Sequence, residues 1–222
     1  MFGKRMAGVV LLAAVGSAAA AGLDSTVRYT FPTDTAAPTV AGGTFSPFYR
    51  AHVEAVPTAG WFDSDDWYDG TEQYSPGAYD PGQHVGFSFT VAPGCEAAVE
   101  SLTCTVRASA ETPGTFRILM SGDGFVGDFV DLGMRSLADS GAYTETFDFA
   151  DRALAAGDAL AFRWIVWGKS AVGGGGMSNA GTFAVDDVYL TGTVTPEPAT
   201  MGLLAIGGLA LLRRRRRRRT GA

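Results

Sequence analysis

Residues 61–70 read Trp-Phe-Asp-Ser-Asp-Asp-Trp-Tyr-Asp-Gly, which puts three kinds of aromatic ring and four aspartates into ten positions. The flat rings of Trp61, Trp67 and Tyr68 beside hydrogen-bonding carboxylates could stack on and grip a sugar. The clustered aspartates could instead hold calcium, although the spacing lacks the twelfth-position glutamate of an EF-hand loop. A plainer reading has Trp61 and Phe62 capping a core while the aspartates form a solvated turn. Catalytic chemistry finds no such cluster. The chain contains no Gly-x-Ser-x-Gly and no His-Glu-x-x-His, and neither of its two histidines, His52 and His84, stands in a triad-like arrangement. Two carboxylates could meet in space as a glycosidase pair, but no large insertion builds a cleft around them, so the expectation is a protein that is not an enzyme.

Those residues would work outside the cytoplasm. Lys4 and Arg5 precede an apolar stretch over residues 6–15, and the small residues 16–21 offer Ala-x-Ala cleavage options. This predicts a secretory signal peptide over residues 1–21, with a mature chain beginning near Ala21 or Gly22. In the oxidising compartment beyond, Cys95 and Cys104 are expected to form a disulfide, unpaired thiols being the alternative. So small a loop would contribute about 2.7 kcal/mol on chain-entropy grounds. A zinc site is disfavoured because neither histidine lies near the cysteines in sequence.

The other end carries the strongest pattern. Pro196-Glu197-Pro198 is followed by a 14-residue apolar run over 199–212 and then by Arg213, Arg214, Arg215, Arg216, Arg217, Arg218 and Arg219. As a helix, 14 residues span about 21 Å at roughly 1.5 Å each, against a hydrocarbon core of about 30 Å. A single short membrane helix of this kind can cross if the bilayer thins and the first arginines snorkel, which suits a provisional anchor. Carrying seven charges outward against the membrane potential would cost about 2.3 kcal/mol per charge per 100 mV, so the arginines stay cytoplasmic. A bare arginine heptamer would also suit nucleic acid, but directly after an apolar segment it reads as a membrane stop. Both prolines fix φ and disfavour helix before them, so residues 195–198 should be extended, exposed and open to a protease.

The formal charge of −6 hides an asymmetry. Residues 22–195 hold eight basic residues against 22 acidic ones, a net of −14. An ectodomain that acidic is a poor partner for nucleic acid or anionic lipid. It is long enough for one core and short for two. Short β-branched or aromatic runs at 26–31, 84–91, 102–108, 115–120, 129–132, 143–149, 160–167 and 182–193 are broken by Gly, Pro, Asp and Ser, with no amphipathic helix. The pattern predicts an all-β antiparallel sandwich. In residues 86–91 apolar side chains alternate with small or polar ones, so one face there is wet. Residues 160–167 are apolar except at Arg163, which predicts a central strand covered on both faces. Regular alternation over 183–190 would put Asp186 with Val188 and Leu190, and Asp187 with Phe183, Val185 and Tyr189, so one aspartate must approach an apolar layer and needs a cation or hydrogen bonds there.

Pro-Glu-Pro-Ala-Thr, the glycine-bearing apolar segment and the terminal arginines closely resemble the PEP-CTERM sorting signal of exported bacterial proteins. The resemblance implies that the tail, residues 196–222, is cut by an exosortase, a membrane-embedded cysteine protease, in bacteria that make exopolysaccharide. It further implies transient anchoring in the inner membrane with the ectodomain outside, then delivery to the cell surface or extracellular matrix. The body, through residues 87–91, 102–109, Ser121-Gly122-Asp123-Gly124-Phe125, 162–168 and 181–188, is similar to a jelly-roll β-sandwich recurrent among such proteins and akin to carbohydrate-binding modules. In those modules the acid matching Asp186 often ligates a structural calcium, with oxygen ligands from near the domain's N-terminus; otherwise it accepts backbone hydrogen bonds.

Overall fold

Side chains that alternate across a strand can bury one face only if a second layer covers it, and the chain supplies two such layers. The computed structural model describes residues 21–22, 28–29, 39–40, 42–58, 61–65, 83–178, 180–197, 202 and 206–207. Its described strands are, in order, β1 (Ala21–Gly22), β2 (Arg28–Tyr29), β3 (Thr39–Val40), β4 (Gly43–Phe45), β5 (Tyr49–Ala51), β6 (Glu54–Thr58), β7 (Trp61–Asp65), β8 (His84–Val91), β9 (Cys95–Ala108), β10 (Pro113–Ser121), β11 (Val130–Ser136), β12 (Ala142–Leu154), β13 (Ala159–Ala171) and β14 (Phe183–Pro196). One sheet runs β12-β9-β14-β7-β6, with β1 and β2 also paired to β14; the other runs β11-β10-β13-β8-β4-β3, with β5 also paired to β8. Every pairing is antiparallel.

Phenylalanines bind the two sheets into one core. Phe116 of β10 meets Phe147 of β12 at 6.2 Å and Phe183 of β14 at 5.6 Å, while Phe149 of β12 meets Phe162 of β13 at 6.3 Å. Leu102, Val106, Val185 and Leu190 from the first sheet share a single apolar cluster with Phe87, Phe89, Ile118 and Trp164 from the second. The expected central strand is found: β13 lies between β10 and β8. Phe162, Trp164 and Val166 enter the main core, and Ile165 and Trp167 are buried in a second cluster with Leu119 and Phe125. The one charge in that run is accommodated by stacking, for the Arg163 guanidinium lies 4.0 Å from the centre of the Phe125 ring. Beside it Arg117 covers Trp167 at 4.6 Å and pairs with Asp131 at 3.1 Å.

Regular alternation fails at β14, and the failure answers the question of the two aspartates. Phe183, Ala184 and Val185 are buried, then Val188, Leu190, Gly192 and Val194, so the inward parity changes between Val185 and Val188. The pairing with β9 slips over the same interval: Asp186 faces Thr105 and Tyr189 faces Thr103, which leaves Asp187 and Val188 opposite Cys104 alone. This is a β-bulge, and Asp187 takes the left-handed φ of 46° there, a conformation aspartate tolerates better than most residues. The bulge keeps apolar side chains inward on both sides while both aspartates remain half-buried. The expected regular alternation over 183–190 is therefore corrected, while one Asp186 carboxylate oxygen, Oδ1, is buried.

The expected disulfide is corrected as well. Cys95 and Cys104 are both free, because they occupy a single strand, β9. Nine residues at about 3.3 Å each set them roughly 30 Å apart, whereas a disulfide needs Cα atoms within about 7 Å. Cys104 faces the core, where burial pushes its thiol up to about 12 against a smaller opposing pull from the Trp164 indole. Reductant is therefore expected to leave the melting midpoint unchanged. Under native conditions a maleimide should label only the partly exposed Cys95, with Cys104 labelled on unfolding and the count read by mass spectrometry.

Candidate functional site

Where β12 runs past its bulge between Asp148 and Arg152, Arg152, Ala153 and Leu154 come to face the end of β10, the loop after it and the start of β13. Between them lies a cleft of about 320 Å³, lined by residues 120–123, 128–130, 152–154 and 160. Its floor is apolar: Met120 and Leu160 belong to the main core, and Leu154 packs against it. Phe129, 47% exposed, and Val130, 37% exposed, form the lip.

The loop that carries this lip is tied down by two side chains. The buried Ser121 hydroxyl donates to Asp123 Oδ1 at 2.6 Å and accepts from the Phe125 amide at 2.9 Å. The Asp123 carboxylate also accepts the backbone N–H groups of Phe125, Val126 and Gly127 at 3.0, 3.2 and 2.8 Å. The Ser121 hydroxyl first, and then those amides, hold the Asp123 carboxyl below the usual carboxylate range, so it stays charged at neutral pH. Phe125 is fixed at a φ of 69°, unusual for so bulky a residue, with its ring beneath Arg163. The neighbouring Asp128 and Arg152 are different. Among the described residues neither side chain makes a hydrogen bond or an ion pair. Sequence reading missed the cleft. The Ser121–Phe125 segment is conspicuous as a turn, but Arg152 reaches it only through the pairing of β12 with β9.

Trp61 opens β7, whose Ser64 pairs with Phe183 of β14. The Trp61 side chain, and Trp67 and Tyr68 altogether, lie outside the described residues. Ser64 is fully buried and accepts a hydrogen bond from the Arg50 Nε–H at 2.9 Å, so the face of β7 that carries Ser64 is interior. For the suggested calcium at Asp186, no group of three or more His, Cys, Asp or Glu among the described residues is placed to hold a metal ion.

The first part of the C-terminal pattern belongs to the sheet. Val194 pairs with Ala97 on one side and Ala21 on the other, Thr195 pairs with Glu96, and Pro196 with Cys95. Thr195 and Pro196 are extended as expected, but half-buried rather than exposed, because β14 continues through them; Glu197 is also half-buried. Pro198 and residues 213–219 lie outside the described residues, as does most of the 199–212 segment, of which Gly202, Ile206 and Gly207 are helical and exposed. No helix among the described residues is long and apolar enough to cross a membrane.

No curated protein sequence matches the chain. Solved structures with a similar course include a cleaved adhesin domain of Lys-gingipain (14% identity, 77% of this chain and 99% of that one, TM-score 0.36). A family 29 carbohydrate-binding module from Piromyces equi gives 13% identity over 78% of this chain and 92% of that one, TM-score 0.35. A second adhesin domain of Lys-gingipain, from Porphyromonas gingivalis, gives 11% identity over 77% and 97%, TM-score 0.33. Likenesses this distant carry no functional argument. The tail is another matter, since residues 194–218 match the family model of the PEP-CTERM protein-sorting motif. The chain is thus one of the proteins that carry a PEP-CTERM sorting motif at their C-terminal end.

Proposed function

We propose that this is an exported, non-enzymatic β-sandwich of the cell surface or polysaccharide matrix, anchored briefly by its tail and released by an exosortase-type protease. The sorting motif implies export and exosortase processing; the surface or matrix destination, the jelly-roll wiring of the sandwich and the lack of catalysis are our reading. One observation carries it. The matched motif begins at residue 194 and β14 ends at Pro196, so the first three matched residues belong to the last strand of the folded domain. The Arg213–Arg219 run would hold the tail from the inside while the acidic sandwich lies outside.

In a host with an exosortase, Pro196→Ala combined with Pro198→Ala is expected to leave an uncut, membrane-associated form. The check is C-terminal mass analysis of the membrane and medium fractions. Equal processing of variant and parent would defeat the assignment. A second reading, a glycan-binding module, is favoured by the cleft beside Phe129 more than by Trp61, Trp67 and Tyr68. A glycan-active enzyme is the remaining alternative.

A further inference from the structure

We propose that the cleft between the 121–130 loop and the end of β12 binds the end of a neutral polysaccharide chain, one or two pyranose units long. The proposal rests on the glycan-binding reading above and gives it a site, ligand class and contact residues.

The lining decides the ligand by elimination. Arg152 and Asp128 sit at the same opening, each without an ion pair among the described residues. An anion would satisfy Arg152 but meet Asp128, the charged Asp123 and the net −14 of residues 22–195. A cation would satisfy Asp128 but meet Arg152, and the Asp123 carboxylate is already engaged by the Ser121 hydroxyl and three backbone amides, with no third acid placed to complete a metal site among the described residues. An acyl chain would suit Met120, Leu154 and Leu160 but would desolvate both charges with nothing to pair them. A neutral polyol answers all three conditions, because each hydroxyl both donates and accepts. The apolar face of a pyranose can lie on the half-exposed Phe129 ring while its hydroxyl edge meets the carboxylate and the guanidinium.

Size and rigidity agree. A volume of about 320 Å³ falls at the lower end of the roughly 300–1,000 Å³ usual for small-ligand sites, which suits a chain end. The lip needs little ordering on binding, since Ser121 and Asp123 already fix the loop backbone at five amide or hydroxyl contacts.

The test is saturation-transfer NMR on the full chain in a sugar-free detergent, with cellobiose, maltose, lactose and xylobiose as neutral probes and digalacturonate as the anionic one. At least one neutral disaccharide is expected to receive saturation. Phe129→Ala and Arg152→Ala should each weaken it tenfold or more, and the isosteric Asp128→Asn should act in the same direction. Phe129 and Arg152 are exposed, so these variants should melt with the parent. Trp67→Ala should leave binding unchanged. The proposal is overturned if no neutral probe binds, if digalacturonate binds better than every neutral probe, or if binding is lost with Trp67 rather than Phe129. A silent cleft leaves the sorting assignment standing, because the proline variants test that separately.

Discussion

Trp164→Ala is expected to destabilise the sandwich by about 3–5 kcal/mol, the range for removing a large buried aromatic. Trp164 is among the largest fully buried side chains, with no exposed surface. Its ring lies 5.5 Å from that of Phe48 and 5.8 Å from that of Phe87, and its indole adjoins the Cys104 thiol across the two sheets. Neighbours anchored on β8, on β9 and on the β4–β5 connection cannot collapse together into the space, so most of the cavity persists and the cost falls toward the upper end. For a domain of this size about 2–4 °C of melting temperature accompanies each kcal/mol, which places the shift at roughly 6–20 °C. Calorimetry of the full chain reads it directly. Trp167→Ala should cost less, because Trp167 lies under the flexible Arg117 side chain, which can settle into the gap. The Trp164 variant should also make Cys104 reactive toward maleimide before global unfolding, which the Trp167 variant should not. A shift below about 2 °C for Trp164→Ala would contradict the packing described.

The same residues show what sequence could and could not tell. Phe162, Trp164 and Val166 alternate with Ile165 and Trp167 in an almost unbroken apolar run, and such a run fits only a strand covered on both faces; β13 is that strand. The bounds of the 84–91 run were likewise legible, but its period of two shows in burial only over residues 87–91, and the face expected to be wet is buried at His84 and Gly86 and half-buried at Ser88 and Thr90. Parity arguments failed where the chain inserts an extra residue. At Asp186 and Asp187 a bulge reverses the faces, and nothing local announces it beyond the presence of an aspartate able to take positive φ. Strands of two or three residues, such as β1 and β2, are too short to display a period. The cysteines misled for a different reason. Compartment argued for a disulfide, but geometry was decided by the length of β9, and residues 95–101 lack the β-branched enrichment that marks 102–108 as strand. The cleft escaped because its parts, Ser121, Phe129, Arg152 and Leu160, come together only through long-range pairing.

Replacing Arg213–Arg219 by serine should produce the largest effect on location. With seven guanidinium groups, moving the tail outward against 100 mV costs roughly 16 kcal/mol at about 2.3 kcal/mol per charge, before any dehydration. That barrier disappears with the charges. What remains is a 14-residue apolar run too short for the bilayer and interrupted by glycines, which without a cytoplasmic stop has little to hold it in place. The expected result is loss of the membrane-associated form, with the full-length uncut chain in the medium, read by fractionation and C-terminal mass. Replacement by seven lysines separates charge from guanidinium shape. If electrostatics sets the orientation, lysine should restore membrane association and serine should not. The melting temperature supplies the control. Residues 194–196 are strand residues and their substitution can disturb the sheet, whereas residues 213–219 lie outside the compact unit Ala20–Pro196. The serine variant should therefore melt with the parent even as its destination changes. A serine variant still held and cut at the membrane would mean that the charge is not what stops the tail.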